Sequence, residues 1–196
     1  QDVLGYFTGI RPLVKGDKSA RTASLSRDHV IRLSEHGLIT IAGGKWTTVR
    51  KMAEDCVDQV VQLHKLNAQP CSTKKHRLRG ATDKFEITDE RAVYGTDIRG
   101  VHQLERDQPI LAESLSTTFG LTAAQVIWAA RQEMARTVED VLARRTRALF
   151  LDSRAAVVMA PAVAAILANE LGHDAAWCQK QVAEFKEVAK NYLPAS

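Results

Sequence analysis

Residues Gly37–Lys51 read Gly-Leu-Ile-Thr-Ile-Ala-Gly-Gly-Lys-Trp-Thr-Thr-Val-Arg-Lys, and their types and spacing suit chemistry. A β-rich run, Leu38 to Ala42, meets Gly43 and Gly44; Lys45, Thr47 and Thr48 then open a pattern with helical spacing. A strand, a tight glycine turn and a helix start aim backbone N–H groups and the positive end of a helix at one point. Glycines let a ligand approach the backbone closely, and Lys45 adds a formal positive charge beside it. The guest that fits is an anion or an electron-rich ring edge. The plainer alternative is an ordinary strand-to-helix connection whose helix is capped by Thr47 or Thr48. This local pattern leaves both open.

Other cations stand where strand ends are expected. Arg11 closes a first strand, Arg27 opens a second, and Lys45 follows a third. Converging from one small sheet, they would suit a doubly charged small anion, since arginine forks match phosphate oxygens bidentately. Scattered surface cations are the alternative. The six histidines show no H-x-H, H-E-x-x-H or Cys/His spacing, so no metal site is expected. There is no G-x-S-x-G elbow and no Walker loop. Glu139-Asp140 is better explained by helix N-terminal electrostatics than by acid/base work. Between Arg131 and Arg147 charge is dense. Arg136, Asp140 and Arg144 are spaced to pair, which favours an ion-pair network that docks helices over catalysis. The basic run Lys74–Arg79 lacks aromatic neighbours and reads as a solvated connector.

The elements that must position these residues change character along the chain. Val3–Ile10 alternates as a strand, ended by Arg11-Pro12-Leu13. Ser26–Leu33 is a second strand, with His36-Gly37 turning into Leu38–Ala42. From Thr48 to about Leu66, apolar residues including Met52, Cys56, Val60 and Leu63 recur with helical spacing. Three short strands and one helix cannot cover both faces of a sheet, so this part lacks its other half. Residues 67–87 hold Pro70, the basic run and Gly80, and read as a linker. From Thr88 onward the pattern is helical. Thr122-Ala-Ala-Gln125 is a capping box, Thr137 caps the next turn, and a long helix after Asp152, kinked or broken by Pro161, ends at Gly172. Asp174 caps the last helix. The fold class is therefore α+β, mostly α: a sheet remnant with one helix (1–66), a linker (67–87) and a helical bundle (88–196).

Composition narrows the partners. Among 196 residues, 27 basic and 23 acidic side chains leave a net charge of +4, which is no nucleic-acid signature. Three scattered cysteines without C-x-x-C argue for reduced thiols in a cytoplasmic setting. The longest apolar run, Ala155 to Ala168, is alanine-rich, interrupted by Pro161 and too short for a bilayer, so no transmembrane helix is expected. The chain opens at Gln1 directly into a strand-like run with no signal-peptide pattern, as a piece of a longer polypeptide would.

Three segments occur in a familiar order: Thr8-Gly-Ile-Arg-Pro-Leu13, Ser26-Arg-Asp-His29 and Gly43-Gly-Lys-Trp-Thr-Thr-Val-Arg-Lys51. With Trp128–Arg147, they make the chain resemble the FAD-dependent (aerobic) glycerol-3-phosphate dehydrogenases, from about residue 3 to 190. The resemblance implies a flavoenzyme of the glycine/D-amino-acid-oxidase-like class. Such enzymes oxidise sn-glycerol 3-phosphate to dihydroxyacetone phosphate, reduce FAD and pass electrons to a membrane quinone. It further implies a protein peripheral on the cytoplasmic membrane, and it is compatible with a homodimer. Carried over, Arg11 and Arg27 hold the substrate phosphate or orient its hydroxyls. Lys45 lies near the reacting carbon and the flavin, making Arg11 and Lys45 the catalytic candidates. Gly43, Gly44, Lys45, Trp46, Thr47 and Thr48 face the pyrimidine end of the isoalloxazine. Val49 and His29 depart from the pattern, each standing where tyrosine is frequent. No G-x-G-x-x-G fingerprint occurs, and the family carries it near its N-terminus. The chain thus matches a C-terminal portion with half a flavin site, and on its own it is expected to be inactive. Two other readings stand beside this one: a glycerol-3-phosphate oxidase using oxygen, and a non-catalytic helical interaction module.

Overall fold

The computed structural model describes residues 2–10, 14, 29–84 and 90–194. It divides into two compact units, Gly9–Leu78 and Gln1–Thr8 with Arg79–Ser196. As the residue pattern implies, it is mostly helical with a small antiparallel sheet.

In the first unit, β1 (His29–Leu33) pairs antiparallel with β2 (Ile39–Gly43), and Ile31 lies opposite Ile41. The reversal between them is closed by Ser34. Its N–H donates to the Leu38 carbonyl, while its carbonyl accepts from Gly37 N–H. Its hydroxyl also accepts from Leu38 N–H. A single 3-10 turn (Trp46–Thr48) leads into α1 (Val49–His64), which lies against β2 and ends on Lys65 in the left-handed conformation. No described residue of this unit is buried.

The second unit holds the core. Helices α2 (Ile98–Asp107), α3 (Ala123–Gln132), α4 (Ala148–Leu151), α5 (Ser153–Leu171) and α6 (Ala175–Ala189) follow, with a π-helical turn at Asp140–Arg145. Helix α5 is central and packs on α6, α3 and α4. Its Met159, Val163 and Leu167 are wholly buried with Leu142, Leu149 and Phe185. The caps are those the side chains call for: Thr122 and Gln125 form a reciprocal capping box on α3. Asp152 and Asp174 accept from the first-turn amides of Ala155 and Trp177, and Gly172 ends α5 in the left-handed region. Gly100 on α2 lies under the Trp128 ring of α3, where an added Cβ would stand 2.0 Å from the ring. That contact lets the two helices cross closely.

Two sequence expectations are corrected. Val3–Ile10 forms no strand. Its hydrogen bonds go to helix ends instead, with Leu4 C=O accepting from the N–H and hydroxyl of Ser153, and Tyr6 N–H donating to Tyr192 C=O. Phe7 stands edge-on to Phe150 at 5.1 Å, and Phe150 to Tyr192 at 5.3 Å. The segment's apolar side chains nonetheless stay exposed, so a short alternating pattern does not by itself commit the chain to a ladder. The sheet of the described residues therefore has two strands, not three. Secondly, α5 continues through Pro161 for 19 residues at mean hydropathy 1.5, long and apolar enough to cross a membrane. Pro161 sits on its exposed side, where water can satisfy the carbonyl freed by the missing N–H. Its opposite face forms the core of the helical unit.

Candidate functional site

The strand, glycine turn and helix start lie where the sequence pattern puts them. Gly43 and Gly44 both have positive φ, 81° and 74°, which carries the chain out of β2 and reverses it into the helix entry. At Gly44 an added Cβ would also lie 2.5 Å from Met52 Sδ of α1, which would have to move aside, and 3.4 Å from His29 Cβ of β1. The turn is thus pressed onto its own strand and helix on one side. Lys45 is extended, and its backbone N–H donates to Thr48 Oγ1 at 3.1 Å. The same hydroxyl donates back to the Lys45 carbonyl at 2.9 Å, and Thr48 N–H donates to that carbonyl at 3.0 Å. Thr48 rather than Thr47 closes the turn.

These bonds leave the amides of Trp46 and Thr47 at the head of the helix entry, where no intrahelical carbonyl reaches them. Lys45, Trp46, Thr47, Thr48 and Val49 are all exposed, the indole of Trp46 at 88%. The Lys45 ammonium has no ion-pair partner among the described residues. An unpaired cation, two free amides and an indole face therefore share one surface that the unit itself leaves uncovered. That surface can hold an anionic or electron-rich planar group, with positive potential from the helix start and flat apolar contact from the indole.

A second set of contacts ties α1 to β1 and to the segment that follows it. Asp55 on α1 accepts from Lys51 one turn earlier, and its other oxygen lies 3.0 Å from His29 Nε2 on β1. The Lys51 hydrogen bond holds the Asp55 carboxyl below its usual range and raises Lys51 in return. Arg50 likewise pairs with Glu54 at 2.6 Å and donates to Thr73 Oγ1 at 3.1 Å, and that bond depresses the Glu54 carboxyl. The spacing Lys51 to Asp55 and Arg50 to Glu54 was visible in the sequence. The His29 link was not, because it depends on strand register. Gly43–Thr48 form one continuous turn and helix entry, while Arg11 and Arg27 lie outside the described residues.

Comparison with known proteins places the chain in a family. The family described as the C-terminal domain of alpha-glycerophosphate oxidase matches residues 39–178. The mitochondrial glycerol-3-phosphate dehydrogenase of Rattus norvegicus is 37% identical over 98% of the chain. A probable counterpart from Caenorhabditis elegans is 37% identical over 89% of it. The chain spans only 28% and 27% of those two relatives. Among solved structures, the glycerol-3-phosphate dehydrogenase from Bacillus halodurans complexed with FAD superposes with a TM-score of 0.66 at 29% identity. It covers 83% of this chain, which corresponds to 37% of that one. The match begins at β2, takes in the Gly43–Thr48 turn and α1, and ends within α6: the chain belongs to the family of alpha-glycerophosphate oxidase C-terminal domains.

Proposed function

We propose that this chain supplies one wall of the flavin and substrate site of a glycerol-3-phosphate dehydrogenase, together with that enzyme's helical C-terminal domain. The observation that carries the reading is the uncovered surface at Gly43–Thr48, in a chain whose relatives bear that name. The residues suit FAD: two glycines keep side chains away from the backbone, and the free amides of Trp46 and Thr47 favour negative charge on a ring edge. FAD, when bound, supplies the redox chemistry by taking the two electrons released as sn-glycerol 3-phosphate becomes dihydroxyacetone phosphate.

The chain's own residues bind and orient. Lys45, with Arg11 and Arg27, holds the substrate phosphate and places the carbinol carbon. Lys45 also counters negative charge that develops at the reacting oxygen. Arg11 and Lys45 are the catalytic candidates. Gly43, Gly44, Lys45, Trp46, Thr47 and Thr48 contact the cofactor. The electrons pass on to a membrane quinone from a protein peripheral on the membrane. The residues 1–66, 67–87 and 88–196 serve as site wall, connector and helical domain. Without the remainder of the FAD domain, the chain alone turns nothing over.

A second reading has a specific support, since the matching family takes its description from an oxidase. There oxygen would replace the quinone, and hydrogen peroxide formed in step with substrate loss by the longer polypeptide would select it. The test of the main reading is Lys45→Ala in that polypeptide. The expected result is retained flavin with a kcat lowered by about 10²-fold or more. Full activity would remove Lys45 from the site and favour a non-catalytic role for this chain.

A further inference from the structure

The helical unit contains a cavity of about 520 Å³ that the flavin-side reading does not use. Its lining includes Arg91, Arg144, Arg145 and Arg147, and no carboxylate among the described residues. Carboxylates engage two of these arginines, from outside the lining. Arg91 pairs with Glu105, and Arg144 with Glu139 and Asp140. Arg145 is fixed through Nε and Nη2 to the Glu133 carbonyl at 2.8 and 2.6 Å. The Arg147 guanidinium is exposed and has no hydrogen-bond or ion-pair partner among the described residues.

Arg147 is held there at a conformational cost. Its φ of 58° is left-handed, a region a non-glycine residue occupies only when its surroundings impose it, and such residues concentrate at binding sites. It directly follows the π-helical turn Asp140–Arg145, whose wider register turns Arg144 and Arg145 onto the same wall. The lining also holds apolar side chains, Val93, Phe119, Leu121 and Leu151, with Tyr94. Val93 and Leu151 remain 69% and 54% exposed, as apolar surface at a cavity mouth would be.

A cavity lined by arginines, of which Arg147 has no ion-pair partner among the described residues, and by apolar side chains matches a ligand with an anionic head and a short hydrocarbon body. We propose that this cavity binds a phosphate monoester carrying an apolar chain, with its phosphate on Arg147 and its chain against Phe119, Leu121 and Leu151. The site lies within the helical unit and is independent of the flavin-side reading. The phosphate could belong to a soluble ester or to a lipid headgroup.

The test is titration of the ¹⁵N-labelled protein with hexyl phosphate, read by amide shifts, with inorganic phosphate and hexanol as separate arms. The account expects saturable shifts at residues 119–121 and 144–147 and binding about tenfold or more tighter than either part alone. Arg147→Asn removes the charge while keeping a residue that tolerates the left-handed backbone. With the remaining spectrum unchanged, it should weaken binding about tenfold. Co-sedimentation with phosphatidylcholine vesicles containing phosphatidic acid, lost in Arg147→Asn, would assign the phosphate to a lipid. Its absence alongside hexyl phosphate binding would assign it to a soluble ester. No saturable shift at these residues, equal binding of inorganic phosphate and hexyl phosphate, or an Arg147→Asn variant that binds like the parent would each overturn the proposal.

Discussion

The helical unit buries Leu142, Met159, Leu167 and Phe185 completely or nearly so, whereas no described residue of the hairpin and α1 unit is buried at all. Both carry enough apolar side chains to do otherwise. In the hairpin unit, Leu33, Leu38, Trp46, Val49, Val57 and Leu63 are exposed. Its order rests instead on the Asp55 bridge to His29 and Lys51, the Thr48 closure and the fit of Met52 under Gly44. One unit is held by its interior, while the other is held by polar ties and presents its apolar and cationic groups outward. A surface of that kind is what a site shared with another part of a longer polypeptide requires, since clusters of exposed apolar groups mark contact surfaces.

The contrast can be broken by substitution. Phe185→Ala, at the centre of the helical core, should cost about 3–5 kcal/mol, measured by chemical unfolding of the chain. A loss near zero would mean that this core does not hold the unit. Gly44→Ala meets both a left-handed backbone and Met52 Sδ, and should unfold or distort the hairpin unit by about 1–3 kcal/mol while the helical amides keep their NMR positions. Asp152→Ala removes the cap of the central helix, and a loss of about 1 kcal/mol in thermal or denaturant unfolding is expected. Val57→Ala, on an exposed face of α1, should change the stability of the chain by no more than about 0.5 kcal/mol. A larger loss from Val57→Ala in the longer polypeptide would sharpen the comparison, by showing that this face is covered there.

Acid provides a further probe of the helical unit. Burial raises the Asp140 carboxyl, but hydrogen bonds from the Arg136 and Thr137 amides, with the Arg144 charge, outweigh it and hold the group below 3.8. A carboxyl depressed in the folded state contributes stability above its unfolded value, and that contribution is lost as pH falls through the folded value. Asp140→Asn should therefore be less stable than the parent at neutral pH. The gap in Tm should close on acidification below about pH 3.8, and a gap independent of pH would contradict the assignment.

Much of this arrangement is legible in residue types. The glycine pair, Thr48, Thr122, Asp152, Gly172 and Asp174 act at short range, through backbone conformations and caps that their own side chains dictate. The π-helical turn at Asp140–Arg145 is not legible, because a single residue's slip in hydrogen-bond register leaves apolar spacing almost unchanged. Arg147 gives no sign of its left-handed backbone, since arginine has no preference for it. The alternating pattern of Val3–Ile10 did not yield a strand: its backbone bonds go to a pair of helix ends, and its apolar side chains stay exposed. In the same way, the arginine-rich stretch that suggested docking of helices does contain the expected Arg144–Asp140 pair. It also forms one wall of a cavity, which only the folded path past the π turn brings together.

The central claim is that Gly43–Thr48 forms one side of a flavin site, and one spectrum tests it most directly. The native sequence extended upstream of Gln1 is purified, its visible absorption recorded, and glycerol 3-phosphate added without oxygen. The account predicts a flavin spectrum that bleaches on addition of substrate and does so far more slowly in the Lys45→Ala variant. A protein that stays colourless after incubation with FAD, or a flavin that glycerol 3-phosphate leaves oxidised, would contradict it.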